Sequence, residues 1–338
     1  MKTVFVLYSS KTSPSGRALA NKMIANCPPG FSIHFGTTKV LSRFIRKNGN
    51  RYPDTIVNMG EFKAEVNTRS RPSGTPVVLN HPNSVGKSSN KRGSRLRFRD
   101  AGIPAPALWE NSCSSIPMAS YPVVGRTTHH TQAHGFWFCK DFHQARRATN
   151  EGATHFLKFI PDTREYRIHI IAASKKEERS KEDYVSIKLS EKIFSAATKK
   201  PGYDVIKNHS NGWTFVSAKE EPRKGLYNEM RLISKKAVSL FGLDWGAVDI
   251  MYDAKNDEIY VLEINTSPCL TDATSNTLEK YSEWVMHLCG MKTKDLSKLM
   301  EKKVNKAPPQ AFKPNPKPKI PRKSDASVLR GFVKRMGL

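Results

Sequence analysis

Cysteines are few in this sequence: the five are Cys27, Cys113, Cys139, Cys269 and Cys289. They are odd in number and widely spaced, and they form neither a CxxC pair nor a cluster with histidine. This argues against a disulfide framework and a structural zinc site. The sequence also lacks a run of about 20 uncharged apolar residues, and the apolar start at residues 1–8 is too short for a signal peptide. We therefore expect a soluble, cytoplasmic protein with no membrane partner, located in a host cell's cytoplasm if a virus encodes it.

Acidic residues are scarce as well, since 30 Asp and Glu face 56 Lys and Arg and leave a formal charge of +26. Such a field attracts polyanions such as nucleic acid, acidic protein or nucleotide phosphate. The hydrophobic content of 38% can fill a core, which excludes global disorder. At about 150 residues per domain, the length fits two domains or one large composite.

The segment 291–338 concentrates this charge, with 14 basic residues, three acidic residues and six prolines. The prolines exclude a continuous helix and favour an extended, self-repelling chain. We predict a basic Pro/Lys-rich tail that binds nucleic acid, an acidic protein or a macromolecular acceptor. A solubilising tail with no defined partner explains the same composition equally well.

Apolar runs and helix-like spacing alternate over the first 80 residues, which predicts a small βαβ domain with a largely parallel sheet. The triplet Gly86-Lys87-Ser88 follows a strand there, but His81 stands where a P-loop requires glycine, so we reject a P-loop. Further along, a stripe with helical spacing predicts a core helix. Its members are Leu226, Met230, Ile233, Ala237, Leu240 and Phe241.

Two apolar strands near the end of the globular part carry acidic residues. Asp249 interrupts one strand, and Glu263 and Asn265 lie two apart on the next, so their side chains share one face. Unpaired buried carboxylates are costly and need a cation or hydrogen-bond donors. Two carboxylates and an amide oxygen suit Mg²⁺ that bridges nucleotide phosphates; a structural salt bridge with lysines is the equally weighted alternative.

Several short motifs occur in a characteristic order along residues 1–290. They are Asn90-Lys91, Gly102-Ile103-Pro104-Ala105-Pro106, Pro122-Val123-Val124-Gly125-Arg126, Phe156-Leu157-Lys158-Phe159-Ile160, Glu165-Tyr166-Arg167, Val248-Asp249 and Leu262-Glu263-Ile264-Asn265-Thr266-Ser267-Pro268. In that order the chain resembles the ATP-grasp superfamily, most closely its peptide-forming carboxylate-amine ligases, such as glutamate ligases and related phage-encoded proteins.

The resemblance implies a mixed α/β and α+β fold in which two lobes clamp ATP behind an N-terminal βαβ domain. The expected divisions are a pre-ATP-grasp domain at 1–88, a small lobe at 89–157, a large lobe with the metal site at 158–290 and the basic tail at 291–338.

The resemblance also implies roles for individual residues, with ATP and Mg²⁺ as cofactors. Lys91 and Arg126 would contact phosphates; Lys158, Phe159 and Ile160 would form the hinge beside adenine; Asp249, Glu263 and Asn265 would hold Mg²⁺; Arg167 would face the substrate carboxylate, and Lys188, Lys207 and Asn208 would complete an anion-binding wall.

The implied activity is an ADP-forming ligase that joins an amino acid or small carboxylate to an amine through an acyl phosphate. Two alternatives remain open: a kinase of a small polyanion on the same scaffold, and a nucleotide- or nucleic-acid-binding protein with reduced catalysis. Three departures from the pattern bear on turnover. Arg126 stands where the family usually has a lysine that contacts phosphate. The loop 127–135, which is usually rich in glycine, has a single glycine, and Cys269 replaces the last glycine of the motif that begins at Leu262. The clustered His129, His130 and His134 are interpreted as polar loop residues rather than metal ligands.

Overall fold

A computed structural model describes residues 1–10, 13–64, 75–110, 113–128, 135–176, 178–180, 183–196, 205–270 and 276–292. All of them lie within one unit, residues 1–301. This part of the chain contains three β-sheets and seven α-helices. Of the helices it contains, none combines the length and the apolar character needed to cross a bilayer.

The N-terminal sheet is entirely parallel, with strand order β2-β1-β3-β4, as the alternation of apolar runs and helices predicts. Its central strand β1 is buried on both faces from residue 4 onward, as expected where helices cover a parallel sheet. The elements are β1 (Lys2–Tyr8), α1 (Pro14–Ala25), β2 (Phe31–Gly36), α2 (Thr38–Lys47), β3 (Thr55–Met59), β4 (Val77–Leu79) and α3 (Pro82–Ser89).

Helix α3 contains the Gly-Lys-Ser triplet, which therefore lies inside a helix rather than in a phosphate-binding loop. The sequence patterns did not indicate a helix at this position. His81 caps it, because its Nδ1 accepts a hydrogen bond from the backbone N–H of Asn83 at 3.2 Å. The structure thus agrees with rejecting the P-loop.

The second sheet is antiparallel, with order β5-β8-β6-β7. The basic helix in front of it begins after Asn90, whose side chain accepts a hydrogen bond from the Gly93 N–H at 2.8 Å. Such capping satisfies one of the free N–H groups of a helix start. The elements are α4 (Lys91–Asp100), β5 (Leu108–Glu110), β6 (Val123–Arg126), β7 (Phe136–Cys139), α5 (Phe142–Asn150) and β8 (His155–Lys158).

The third sheet is also antiparallel, with order β11-β10-β9-β12-β13. Its strand β9 alternates: Tyr166 and Ile168 are fully buried in the core, on the side where α6 packs, whereas Arg167 and His169 line a cavity on the other side. The elements are β9 (Arg164–Ala172), β10 (Tyr184–Phe194), β11 (Trp213–Ser217), α6 (Leu226–Leu240), β12 (Trp245–Asp253), β13 (Glu258–Asn265) and α7 (Thr277–Leu288).

The predicted core stripe belongs to α6, and five of its six members are buried. Leu240 is the exception, because at the last position of the helix it is 37% exposed. The prediction that Leu240 lies in the core is therefore wrong. Around α6, the core also encloses Trp245 and Tyr281, both fully buried.

Candidate active site

A cavity of about 1290 Å³ lies between the second and third sheets and is lined by residues of both. Helix α4 and strands β6, β7 and β8 supply one wall, and strands β9 to β13 supply the other. Ligand pockets commonly measure about 300–1,000 Å³, so this one can take a ligand of nucleotide size with room for a second molecule. It brings together eleven of the twelve residues predicted for the site; Asn265 alone is outside the lining.

The predicted metal ligands do lie together. Asp249 on β12 is directly opposite Glu263 on β13, and Asn265 donates from its amide to Asp249 Oδ2 at 3.2 Å. A β-bulge follows, because Ile250 pairs with Val261 and leaves Leu262 as the extra residue. Bulges redirect side chains, and here Leu262 and Glu263, although consecutive, both line the cavity.

Each carboxylate of this pair has a cationic partner. Arg167 grips Asp249 through two hydrogen bonds, of 2.7 and 2.8 Å, and Lys91 Nζ lies 2.5 Å from Glu263 Oε2. Burial alone would raise the pKa of the Glu263 carboxyl, but the surrounding cations, Lys91 first and then Arg95 and Arg167, together hold the pKa well below its usual range. Burial opposes the charge of Arg167 too, yet Asp249 raises its pKa above the ordinary value. The Glu263 carboxylate is therefore ionised at neutral pH.

This donor set fits Mg²⁺, since two carboxylates and an amide oxygen are the hard oxygen ligands that this ion prefers. They supply only part of an octahedral shell. In the described part of the chain, no group of three or more His, Cys, Asp or Glu residues is arranged to hold a metal. Mg²⁺ usually completes its shell with water and substrate phosphate oxygens, so the cluster suits a metal that arrives with a nucleotide.

Above the carboxylates, Arg126 ends strand β6 and lies over the ring of Phe136 at 5.1 Å. Burial, and next the neighbouring Arg95, lower the pKa of the Arg126 guanidinium to about 10, against the opposing effect of Glu263. Arg95, Arg126 and Lys91 thus lie in one region with Glu263. Such a cluster is costly without an anion, and a phosphate chain supplies one.

Arg95 was not among the residues predicted for the site. It is 6% exposed, lines the cavity, and donates to the backbone oxygen of Lys91 at 2.9 Å, but its Nε makes no hydrogen bond with any described residue. Burial lowers its pKa, an effect that Glu263 only partly offsets. The available signal was spacing: Arg95 follows Lys91 by four residues, which places both on one helix face.

The predicted anion-binding wall is present, although part of it is engaged within the protein. Lys207 donates to the backbone oxygen of Thr163 at 2.5 Å and lies over the ring of Trp213. Asn208 caps a short 3₁₀ turn by accepting from the Asn211 N–H at 3.0 Å. Lys188 lines the cavity from β10. The wall also includes a cation that the sequence analysis missed, Lys192, which bonds to Glu165 and lies over Phe215.

The predicted hinge residues begin at Lys158, the last residue of β8, and continue as a connection between the two walls. The Lys158 N–H donates to the Ala107 oxygen at 2.9 Å, and the Phe159 N–H donates to the Pro122 oxygen at 3.2 Å. The ring of Phe159 packs edge-on against Phe138, with centroids 4.9 Å apart. These contacts tie Lys158 and Phe159 to the wall formed by the second sheet, and Ile160 beside them is buried and lines the cavity.

Comparison with solved structures identifies the fold. The D-alanine–D-alanine ligase from Bacillus anthracis superposes with a TM-score of 0.58 at 15% identity, covering 89% of this chain and 99% of that one. The chain has the ATP-grasp fold. N5-carboxyaminoimidazole ribonucleotide synthetase from Thermotoga maritima gives 0.59 at 12% identity, covering 86% and 77%. The ATP-grasp ligase PsnB, solved with Mg and ADP, gives 0.58 at 12% identity, covering 84% and 98%. No protein-family model and no curated protein sequence matches the chain.

Two predicted features of this ATP-grasp chain fall outside the described residues: the three loop histidines, at 129, 130 and 134, and residues 293–338 of the basic tail. At the base of the loop, Thr127 donates its N–H to the Gly135 oxygen at 3.4 Å. Gly135 has a φ of +66°, and a Cβ there would lie 2.6 Å from Thr127 Oγ1. Glycine is therefore required where the loop rejoins β7.

Proposed function

We propose that the protein is an ATP- and Mg²⁺-dependent ligase that joins a carboxylate to an amine and releases ADP and phosphate. The observation that carries the proposal is the meeting, in one cavity, of the Asp249–Glu263 pair with cations from both walls. Transfer of a phosphoryl group needs positioning and charge neutralisation more than a nucleophilic side chain. The cavity is built from groups of that kind.

The nucleotide phosphates would lie between the two walls. Arg126, Arg95 and Lys91 would neutralise them from one wall, and the carboxylates with Asn265 would hold Mg²⁺ on the other. When bound, Mg²⁺ would withdraw charge from the phosphate oxygens. Lys91 is well placed to serve both partners, because it already contacts Glu263.

The carboxylate substrate would meet Arg167. A guanidinium offers five N–H donors, and Asp249 receives hydrogen bonds from the Nε and one terminal nitrogen. The other terminal nitrogen remains for an anion. In the proposed reaction the substrate carboxylate attacks the γ-phosphorus, ADP leaves, and the amine then displaces phosphate from the acyl phosphate.

The amine acceptor is proposed to be an amino acid or a group on a larger molecule. For a macromolecular acceptor, the basic tail 291–338 could act as a tether, because a tether raises the effective concentration of its partner. This part of the proposal depends on composition, since residues 293–338 lie outside the described residues.

The test is ADP and phosphate release from ATP with panels of amino acids and amine acceptors, compared between wild type, Glu263→Gln and Glu258→Gln. Glu258 begins the same strand but does not line the cavity, so its variant is the matched control. We expect Glu263→Gln to lose Mg²⁺-dependent turnover and the control to keep it. Equal turnover in all three proteins would overturn the proposal, and phosphate retained stably on the product would identify a kinase instead.

A further inference from the structure

A second cavity, of about 600 Å³, lies beside α6 and the start of α7, where β11 stops covering the edge of β10. β11 pairs with residues 190–194 of β10, and the Ala218 N–H donates to the Leu189 oxygen at 3.3 Å, so the edge of β10 at residues 186–188 faces this space. The ten residues that line it are Ser186, Ile187, Lys188, Leu189, Ser217, Ala218, Tyr227, Arg231, Asn276 and Lys280.

Among the described residues, the lining has charge of one sign only. Lys188, Arg231 and Lys280 contribute three cations, and no carboxylate is among the ten residues. Like charges that lie close together repel, and an anion that binds between Arg231 and Lys280 relieves this repulsion. The side chains of Ser186, Ser217 and Asn276 add groups that can donate hydrogen bonds to such an anion.

Two of the cations are held differently. Lys280 Nζ donates to the backbone oxygen of Ile187 at 3.0 Å, which fixes the ammonium at the edge of β10 and leaves its other protons for a ligand. Arg231 is half-buried on α6 and makes no hydrogen bond or ion pair with any of the residues that the structure describes. One turn along, burial lowers the pKa of Lys235, and the charge of Arg231 lowers it further.

Helix α7 adds to this positive field, because it begins at the cavity. Asn276 precedes its first residue and Lys280 lies in its first turns. The N-terminus of a helix carries about half a positive charge and exposes backbone N–H groups. Phosphate groups suit this combination of N–H donors, ammonium and guanidinium.

We propose that this second cavity binds a small phosphate-type anion between Arg231 and Lys280. The proposal does not depend on the ligase activity, because neither residue lines the main cavity. Lys188 lines both cavities, so the two sites draw on the charge of one lysine.

The experiment is calorimetric titration of the full chain with inorganic phosphate or phosphoserine at constant ionic strength, after Mg²⁺ and ADP have filled the main cavity. We expect one equivalent to bind wild type, and Arg231→Gln/Lys280→Gln to weaken binding by at least about tenfold because two charge-assisted contacts are lost. The control, Lys224→Gln/Lys236→Gln, removes the same charge from exposed positions beside and on α6, and we expect its affinity to stay within about twofold of wild type.

Tighter binding of phosphoserine than of phosphate would identify a phosphate ester as the occupant, and the reverse would identify the free ion; both support the site. Absence of binding to wild type, or equal weakening in the control, would overturn it. Lys280→Gln removes a contact to β10, so Arg231→Gln alone serves if the double variant does not fold. If ADP does not bind, the ligase proposal fails, but the comparison of variants still decides this one.

Discussion

Arg167 and Asp249 lie directly opposite each other on the neighbouring antiparallel strands β9 and β12, and their side chains form a two-pronged ion pair. Only 19% of the Arg167 side chain and 11% of the Asp249 side chain are exposed. The ring of Phe215 covers the guanidinium at 4.2 Å. A pair so placed is expensive to break, and in the proposed reaction it links the metal ligand to the residue that faces the substrate.

We expect Asp249→Leu to lower the free energy of unfolding by about 3–5 kcal/mol, because removing one partner of a buried pair leaves the other charge uncompensated. The double variant Arg167→Met/Asp249→Leu should recover most of that loss, since an apolar pair of similar volume has no unpaired charge. Urea unfolding of the three proteins measures this.

Activity should respond differently from stability. If both residues serve the reaction, the double variant folds well and still releases no ADP. A double variant that recovers ADP release along with stability would show that the pair has only a structural role. Arg223→Met/Asp257→Leu removes an exposed ion pair outside the cavity and should leave ADP release unchanged.

Much of the fold could be predicted because local patterns specify it. Apolar runs located the parallel strands of the N-terminal sheet, and the mixed α/β class follows from their alternation with helices. Asp249 and Glu263 were recognisable as site candidates because a carboxylate inside an apolar strand needs a physical reason. Their assigned roles stay predictions, as do the domain boundaries.

Other features depend on contacts between distant segments. The bulge that turns Leu262 and Glu263 to the same cavity is set by the strand register. No residue type in β13 indicates this register, so the bulge could not be predicted from the sequence. The buried Arg95 belongs to a helix rich in basic residues, and only contacts with distant segments distinguish it from the exposed Arg97. Helix α3 was hidden because its Gly-Lys-Ser triplet is typical of loops.

His169 makes stability depend on pH. It is 4% exposed and lies 3.2 Å from the Tyr281 hydroxyl, and burial, reinforced by Arg167 and Lys188, lowers its pKa to about 3. Below about pH 6.5 the imidazole of His169 binds a proton in the unfolded chain but stays neutral in the folded protein. The stabilisation is therefore complete above that pH and decreases as the pH falls toward 3.

As the pH falls from about 6.5 toward 3, we expect His169 alone to reduce the free energy of unfolding by up to about 1.4 kcal/mol for each pH unit. Urea unfolding at about pH 7 and about pH 5 measures the slope. His169→Gln should lower stability at both pH values but show a shallower slope, because glutamine does not titrate. Parallel slopes in the two proteins would contradict a neutral, buried imidazole.

Arg95 offers the sharpest separation of stability from ligand binding. Its guanidinium is buried beside Arg126, and its Nε has no hydrogen-bond partner among the described residues. In the free protein, desolvation of the Arg95 guanidinium and its repulsion by Arg126 are both unfavourable, and the phosphates of a bound nucleotide would offset both. Arg97 lies on the same helix but is exposed and outside the cavity, so Arg97→Met is the matched control.

We expect Arg95→Met to leave the melting temperature of the free protein unchanged or to raise it, while weakening ATP binding by at least about tenfold through loss of a charge-assisted contact. Adenosine has no phosphate, so its affinity should not change. Thermal melts and calorimetry with ATP and with adenosine measure both effects. Equal losses for the two ligands would mean that Arg95 shapes the cavity rather than binding phosphate, and a similar loss in Arg97→Met would reduce the effect to overall charge.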